Sequence, residues 1–286
     1  MAEKVLGIIG GSGLYDIEGV EVEEEVEVET PFGPPSDRFI VARYQDVKIV
    51  FLPRHGRGHR IPPSKINYRA NIYGMKKLGA RRVLSVSAVG SMKEEIRPGD
   101  IVVVDQFYDN TKFRVNTFFD EGLVGHIAFA DPVCPQFSQV VSEAAGKVVE
   151  RVHRGGTYIC IEGPQFSTRA ESNIYRSWGV DVIGMTNVPE VKLAREAGLC
   201  YSTMALATDY DCWREGEEDV TADMVVQTLK KNVANSKKII LEVARSLPDE
   251  FTCGCADSLK NAIMTSRELI PEELKKKLDL IVGEHL

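Results

Sequence analysis

The sequence predicts an α/β protein with a single domain, residues 1–286, whose central, mixed and largely parallel β-sheet is flanked by helices. Three observations lead to this fold class. Strand-like and helix-like patterns alternate along the chain. Several strand-like runs, such as residues 5–9 and 199–207, are apolar at consecutive positions, which is typical of strands buried on both faces. No linker, repeat or low-complexity tract interrupts this order.

Composition and charge argue against several classes of function. Hydrophobic residues make up 43% of the chain and charged residues 27%, as in ordinary globular proteins. The net charge of −7 opposes non-specific binding to nucleic acid or to an anionic membrane, and no apolar run is long enough for a transmembrane helix. The N-terminus does not read as a signal peptide, so a cytoplasmic protein is expected. The six cysteines show no zinc-site spacing, and no metal is predicted.

A glycine-rich segment follows the first predicted strand, residues 5–9. It reads Gly10-Gly-Ser-Gly13, and its backbone N–H groups together with the Ser12 hydroxyl can hold a phosphate. A plain tight turn explains these residues equally well. Residues 20–29 then predict an exposed strand with a bulge.

A basic cluster follows two further strands predicted within residues 39–52. It runs from Arg54 and His55 to Arg60 and stands out in an acidic protein, so an anion site is favoured over a solvated loop. Residues 64–78 predict a helix with Ser64 as its N-cap.

The middle of the chain repeats the pattern of strands with polar ends. Residues 82–90 predict a strand that ends near Ser87 and Ala88. The segment 106–135 is long and irregular and contains His126, and a loop of this length is often functional or part of an interface. Further strands are predicted at 101–105, 156–161 and 180–186.

Helices are predicted at 168–179 and 189–197. The first opens with a capping box formed by Thr168 and Glu171. A long helix over about 221–244 precedes a C-terminal helical tail, residues 246–286.

Two carboxylates follow the buried strand 199–207. Asp209 and Asp211 are two residues apart, so in an extended segment both can face one ligand. Neighbouring acids raise the pKa of one of them, which allows one to donate a hydrogen bond while the other accepts. Such a pair can recognise an amino group beside a ring nitrogen of a purine. A helix N-cap or a solvated loop is the alternative interpretation.

Polar groups therefore stand at the ends of several predicted strands. Because the carboxyl ends of parallel strands meet at one edge of a sheet, these groups are expected to converge on a single anionic substrate. The groups are Ser12, Arg54, His55, Ser87 and Thr186, with the acid pair at a fifth strand end.

Six ordered motifs resemble those of the trimeric purine nucleoside phosphorylase family, and within it the branch that cleaves S-methyl-5′-thioadenosine. The likeness covers about residues 5–245. The motifs are Gly10-Gly-Ser-Gly13, Arg54-His-Gly-Arg57, Ser87-Ala-Val-Gly90, Ile161-Glu-Gly-Pro-Gln-Phe-Ser167, Gly184-Met-Thr186 and Ala207-Thr-Asp-Tyr-Asp-Cys-Trp213.

The resemblance implies a purine nucleoside phosphorylase-like fold and a phosphorolysis reaction. Inorganic phosphate, a co-substrate, would displace adenine from S-methyl-5′-thioadenosine and leave 5-methylthioribose 1-phosphate, without metal or organic cofactor. A 6-oxopurine nucleoside or methylthioinosine phosphorylase is the alternative; a nucleosidase or a non-catalytic purine-binding protein fits less well. The resemblance also implies a homotrimer or a dimer of trimers.

The resemblance assigns roles to individual residues of this chain. Asp209 and Asp211 would read adenine and assist its departure. His126 would reach a neighbouring subunit's pocket. The phosphate residues would be Ser12, Arg54, His55, Ser87, the backbone of Ala88 and Thr186. The remaining substrate residues would be Phe166, Ser167 and Met185, with Ala222, Val225 and Val226 as an apolar wall for the methylthio group.

Two parts of the chain stay open at this point. Ordinary helix core is an equally good interpretation of Val225 and Val226. Cys253-Gly-Cys255 lies outside the shared region; some thermophilic members of the family carry such a motif as a disulfide, whereas reduced thiols are the default in the cytosol.

Overall fold

The computed structural model describes residues 3–11, 14, 16–214 and 222–286, and for residues 222–227 and 229 it describes the helix but not the side chains. Within these residues eleven strands form one sheet. The strands are β1 (Lys4–Gly10), β2 (Glu21–Val26), β3 (Phe39–Tyr44), β4 (Val47–Pro53), β5 (Arg82–Ser91), β6 (Ile101–Val104), β7 (Gln106–Asn110), β8 (Val152–Arg154), β9 (Thr157–Ile161), β10 (Val182–Gly184) and β11 (Cys200–Asp209).

Helices cover both faces of this sheet. They are α1 (Tyr68–Lys77), α2 (Pro135–Gly146), α3 (Arg169–Ser177), α4 (Asn187–Glu196), α5 (Ala222–Ser246) and α6 (Glu272–Val282). None of these helices combines the length and the apolar content that a bilayer crossing requires.

The sheet is mixed and largely parallel, as predicted. Its main path runs β2-β3-β4-β1-β5-β10-β9-β7, while β11 pairs with β5 and β6. Strands β4, β1, β5 and β11 form the parallel centre. At the edge, β2 carries the predicted bulge between Val22 and Glu24.

Two hydrophobic cores explain why the central strands are apolar at consecutive positions. Along β1, Leu6 and Ile8 face the core beneath α2 and α5, while Val5 and Ile9 face the core beneath α1, α4 and α6. Alternate residues of a strand point to opposite faces, so a strand between two helical layers needs apolar residues at both parities.

The helix boundaries confirm some predictions and correct others. The capping box of Thr168 and Glu171 opens α3 as predicted. The predicted cap at Ser64 is wrong, because α1 begins later and its cap is Asn67, whose side chain accepts a hydrogen bond from the N–H of Ala70. The segment 106–135, predicted as irregular, begins with β7, and α2 follows directly after it without having been predicted.

Candidate active site

A cavity of about 490 Å³ opens at the centre of the sheet, where the carboxyl ends of β1, β4 and β11 meet the second half of β5. Its size suits a small ligand. It collects most of the residues singled out in the sequence: Arg54, His55, Ser87, Ala88, Phe166, Ser167, Met185, Thr186, Asp209 and Asp211.

The other predicted site residues do not contribute described side chains to this cavity. His126 is exposed, and its backbone pairs with Ala262 away from the lining residues. Ser12 lies outside the described residues, as do the side chains of Ala222, Val225 and Val226.

The cavity exists because β5 changes partners along one edge. Its first half pairs with parallel β1 as far as Ser85, and its last residues, Gly90 and Ser91, pair with antiparallel β10. Residues 86–89 lie between these two neighbours and line the cavity. On this edge of β5, the backbone groups of residues 86–89 have no neighbouring strand among the described residues, so they are available to a ligand.

The same register explains how Thr186 reaches Ser87. In the antiparallel pair Ile183 lies opposite Gly90, and extending the register by three residues places Thr186 opposite Ser87. Their hydroxyl oxygens are 3.3 Å apart and both side chains are buried. The sequence predicted the meeting but not its geometry, since β10 runs against β5 rather than parallel to it. Tyr158, which the sequence analysis missed, lies 3.3 Å from the Ser87 hydroxyl.

Arg54 does not present its full guanidinium fork to the cavity. Its Nε donates to Oε2 of Glu190 at 2.7 Å and its Nη2 to Oε1 at 3.1 Å, and both side chains are buried. Nη1 donates to the Val86 carbonyl at 3.4 Å, beside the cavity. Burial lowers the pKa of Arg54, but the charge of Glu190 more than offsets this effect, so the guanidinium stays protonated.

Glu190 was missed in the sequence, where the only signal is an acidic residue within the apolar segment 188–191. The hydroxyl of Tyr201 donates to its Oε1 at 2.9 Å. Buried carboxylates are rarely found without a charged partner. Glu190 therefore fixes the orientation of Arg54 and leaves only the Nη1 side for a ligand.

His55 is oriented by a backbone carbonyl. Its Nδ1 lies 2.8 Å from the carbonyl oxygen of Ile61, which can only accept, so Nδ1 carries the proton. Burial, aided by the charge of Arg54, lowers the pKa of His55 to about 4. The neutral ring therefore has Nε2 as an acceptor. In this tautomer Nε2 can accept a hydrogen bond from a hydroxyl of hydrogen phosphate, so His55 can contact phosphate as an acceptor.

We expect His55 to make the protein less stable in acid. Its pKa is about 4 in the folded chain, below the ordinary histidine value of about 6.5, so the unfolded chain binds more protons between these pH values. Its contribution to stability is complete above pH 6.5 and is lost as the pH falls towards 4, by at most about 3 kcal/mol. Urea unfolding measures this effect at pH 7 and pH 4.5. Between these pH values, the unfolding free energy of His55→Gln should decrease less than that of the wild type. The control His285→Gln, at a histidine that does not line the cavity, should keep the wild-type loss, and equal losses in all three proteins would refute the assignment.

The two acids lie side by side against β5. Asp209 ends β11, and its Oδ1 accepts a hydrogen bond from the N–H of Asp211 at 2.8 Å. A Cβ added to Gly90 would lie 3.0 Å from Asp209 Oδ1 and 3.2 Å from the Cβ of Asp211. A glycine at this position of β5 lets both acids approach the strand, and both line the cavity, as predicted.

Hydroxyl groups hold the carboxylate of Asp211. Ser167 donates to it at 3.1 Å, and Ser172, which the sequence analysis missed, also donates to it from the first turn of α3. Burial raises the pKa of Asp211, and the two serine hydroxyls partly oppose this effect. A carboxyl group that keeps its proton more readily than usual can act as a hydrogen-bond donor or an acid.

Arg114, to which no sequence pattern assigned a role, connects two segments that line the cavity. Its guanidinium donates to Glu162 at 3.2 Å and its side chain is almost completely buried. It also donates to four backbone carbonyls, those of Ile161, Glu162, Met185 and Val188. The segments that carry Phe166 and Met185 are thereby held together. Phe166 is 51% exposed at the cavity, as an aromatic side chain at the entrance would be.

Comparison with known proteins gives a consistent result. The family model described as "Phosphorylase superfamily" matches residues 5–245. The S-methyl-5′-thioadenosine phosphorylase of Geobacter sulfurreducens is 58% identical over 99% of this chain and 100% of its own length.

Two solved structures are also similar over almost the whole chain. A methylthioadenosine phosphorylase from an antarctic soil metagenomic library superimposes with a TM-score of 0.93 at 44% identity and covers 98% of this chain and 99% of its own. A variant of the adenosine/methylthioadenosine phosphorylase of Schistosoma mansoni, in complex with methylthioadenosine, has a TM-score of 0.85 at 38% identity, covering 93% of this chain and 100% of its own.

Proposed function

Because the chain belongs to the phosphorylase superfamily, we propose that its cavity catalyses the phosphorolysis of S-methyl-5′-thioadenosine. The products are adenine and 5-methylthioribose 1-phosphate, and the enzyme is a pentosyltransferase of purine and methionine salvage. One observation supports this reaction above all. The hydrogen-bond donors of Ser87, Thr186 and Arg54 line the same cavity as the neighbouring carboxyl groups of Asp209 and Asp211.

The reaction requires groups that respond to two developing charges. As the glycosidic bond breaks, positive charge builds on the ribose and negative charge on the departing purine. Phosphate stabilises the positive charge on the ribose and forms the new bond to the sugar carbon. It is held by Ser87, Thr186, the Ala88 backbone and Nη1 of Arg54. A proton that passes from the Asp209/Asp211 pair to N7 of adenine neutralises the negative charge on the departing purine. The two acids titrate as one coupled pair. No organic cofactor enters this scheme.

Substrate selection rests on both ends of the cavity. The acid pair suits a 6-amino purine, because a carboxylate accepts from the amino group but has no donor for a 6-oxo group unless it is protonated. Leu14, Leu206 and Val233 give the cavity apolar wall area that suits a methylthio group. The assignment of Ala222, Val225 and Val226 to this wall remains a proposal, as does that of Ser12 to the phosphate.

Phosphate should be required for turnover. We expect the release of adenine from S-methyl-5′-thioadenosine, followed by ultraviolet absorbance, to fall at least about 100-fold when phosphate is removed, because water lacks the charge that the donors bind. With inosine in place of the substrate, kcat/KM should also fall at least about 100-fold. Adenine release that does not depend on phosphate would identify a nucleosidase, and preference for inosine would identify a 6-oxopurine phosphorylase.

A homotrimer or a dimer of trimers is the proposed assembly. Apolar side chains that one chain leaves exposed support it, among them Phe113 at 87% and Trp178 at 53%. Exposed apolar area of this kind is typical of subunit interfaces. The role of His126 in a neighbouring subunit's site belongs to the same proposal, and sedimentation of the purified protein gives the number of copies. A cytoplasmic location remains a prediction.

A further inference from the structure

Four thiols meet far from the cavity, at the opposite end of β11. Cys134, Cys200, Cys253 and Cys255 bring their sulfur atoms within 4.8 Å of one another, and all four are free. Three of them are buried and Cys253 is partly buried. The sulfur atoms of a tetrahedral zinc–tetrathiolate centre are about 3.8 Å apart, given a Zn–S distance of about 2.3 Å. The Cys200 and Cys253 sulfurs are 3.3 Å apart, which is close to that spacing.

Three separate segments supply these thiols. Cys134 is the N-cap of α2, Cys200 begins β11, and Cys253 and Cys255 belong to the segment after α5. The N–H of Cys134 donates to the carbonyl of Tyr201 at 2.9 Å, which ties the first two segments together. Linear spacing could not reveal this cluster, because only Cys253 and Cys255 are close in sequence.

The surroundings of the cluster suit a negative charge. Arg82 lies directly opposite Cys200 in the register of β5 and β11 and is 7% exposed. Its Nε is buried and has no hydrogen-bond partner among the described residues, while its guanidinium stacks on the ring of Phe251 at 4.3 Å. Arg195 places Nη1 3.9 Å from the sulfur of Cys255. Two buried or partly buried cations therefore flank the four sulfurs.

Arg82 is buried and has no charged partner among the residues that the structure describes. An anionic centre beside it would compensate this charge.

We propose that Cys134, Cys200, Cys253 and Cys255 bind one zinc ion as a structural site that anchors the C-terminal tail to the sheet. On binding, zinc displaces the thiol protons to solvent, and the resulting centre of charge −2 is balanced by Arg82 and Arg195. Four protein ligands leave no open position, so the metal takes no part in the reaction. Its location at the start of β11, whereas Asp209 ends that strand, supports a structural role.

The wild-type protein, purified without chelators, provides the first test. We expect about one zinc per chain by elemental mass spectrometry, and the charge-transfer absorption of a tetrathiolate when cobalt replaces zinc. Removing the zinc should lower the Tm by at least about 5 °C. At room temperature, phosphate-dependent turnover should change less than about twofold, so the result is independent of the proposed function.

Variants separate the cluster from the other cysteines. Cys253→Ser with Cys255→Ser should abolish zinc binding and lower the Tm, whereas the control Cys212→Ser, outside the cluster, should retain one zinc per chain. Peptide mass spectrometry under non-reducing conditions tests whether the four cysteines form disulfides instead of binding zinc. Disulfides among the four cysteines, or four free thiols without zinc in the wild type, would overturn the proposal.

Discussion

Replacement of Asp209 by asparagine is expected to lower kcat/KM for S-methyl-5′-thioadenosine by about 30- to 1000-fold. The reason is that one contact to a developing charge in a buried site contributes about 2 to 4 kcal/mol to the barrier. Asp211→Asn should have an effect of the same order, since the two carboxyl groups lie together against Gly90 and line one cavity. The double variant should lose little more than the worse single variant, because residues that act as a unit are not additive.

The controls for this prediction distinguish chemistry from folding. Asp131→Asn alters an exposed acid outside the cavity and should leave kcat/KM unchanged. The Tm of both active-site variants should stay close to that of the wild type, because asparagine preserves the shape of the side chain. In the wild type, kcat/KM should fall as the pH rises through the raised pKa of Asp211, since the required proton is then lost. Variants as active as the wild type would remove the acids from the mechanism.

Replacement of Glu190 by alanine should cost about 3 to 5 kcal/mol of unfolding free energy. The change leaves the guanidinium of Arg54 buried without its carboxylate, and such an unpaired charge is among the most destabilising outcomes of a single substitution. Urea unfolding at neutral pH measures the effect. Glu27→Ala is the matched control: it removes an acid paired with Arg38 at 3.5 Å on the surface and should leave stability nearly unchanged.

A double variant separates the structural role of Arg54 from its role in phosphate binding. Arg54→Met with Glu190→Leu replaces the buried pair by apolar side chains and should recover most of the stability that Glu190→Ala loses. If Nη1 of Arg54 contacts phosphate, this folded variant should still show a KM for phosphate at least about tenfold higher than the wild type. Recovery of both stability and phosphate affinity would show that Arg54 acts only in the fold.

Local sequence patterns were sufficient for most of the strands, although β7 and β8 were not predicted. Runs of consecutive apolar residues predicted the buried strands β1 and β11, because a strand buried on both faces needs apolar side chains at every position. The capping box at Thr168 and Glu171 was also readable, since both partners lie within one turn. The start of α1 was misplaced because Ser64 and Asn67 are both good caps, and only the structure shows which one accepts the bond.

Contacts between distant segments could not be predicted from local sequence patterns. The pairing of Arg54 with Glu190, the tautomer of His55 and the four-cysteine cluster each join residues whose local sequence does not identify the partner. The sequence by itself determined the fold class and indicated which hydroxyl and carboxyl groups lie around one cavity, because each of these follows from a pattern a few residues long. The tertiary structure alone decided which atoms of those side chains remain available to a ligand, because a buried polar group first satisfies its neighbours, and those neighbours are set by the packing of the sheet.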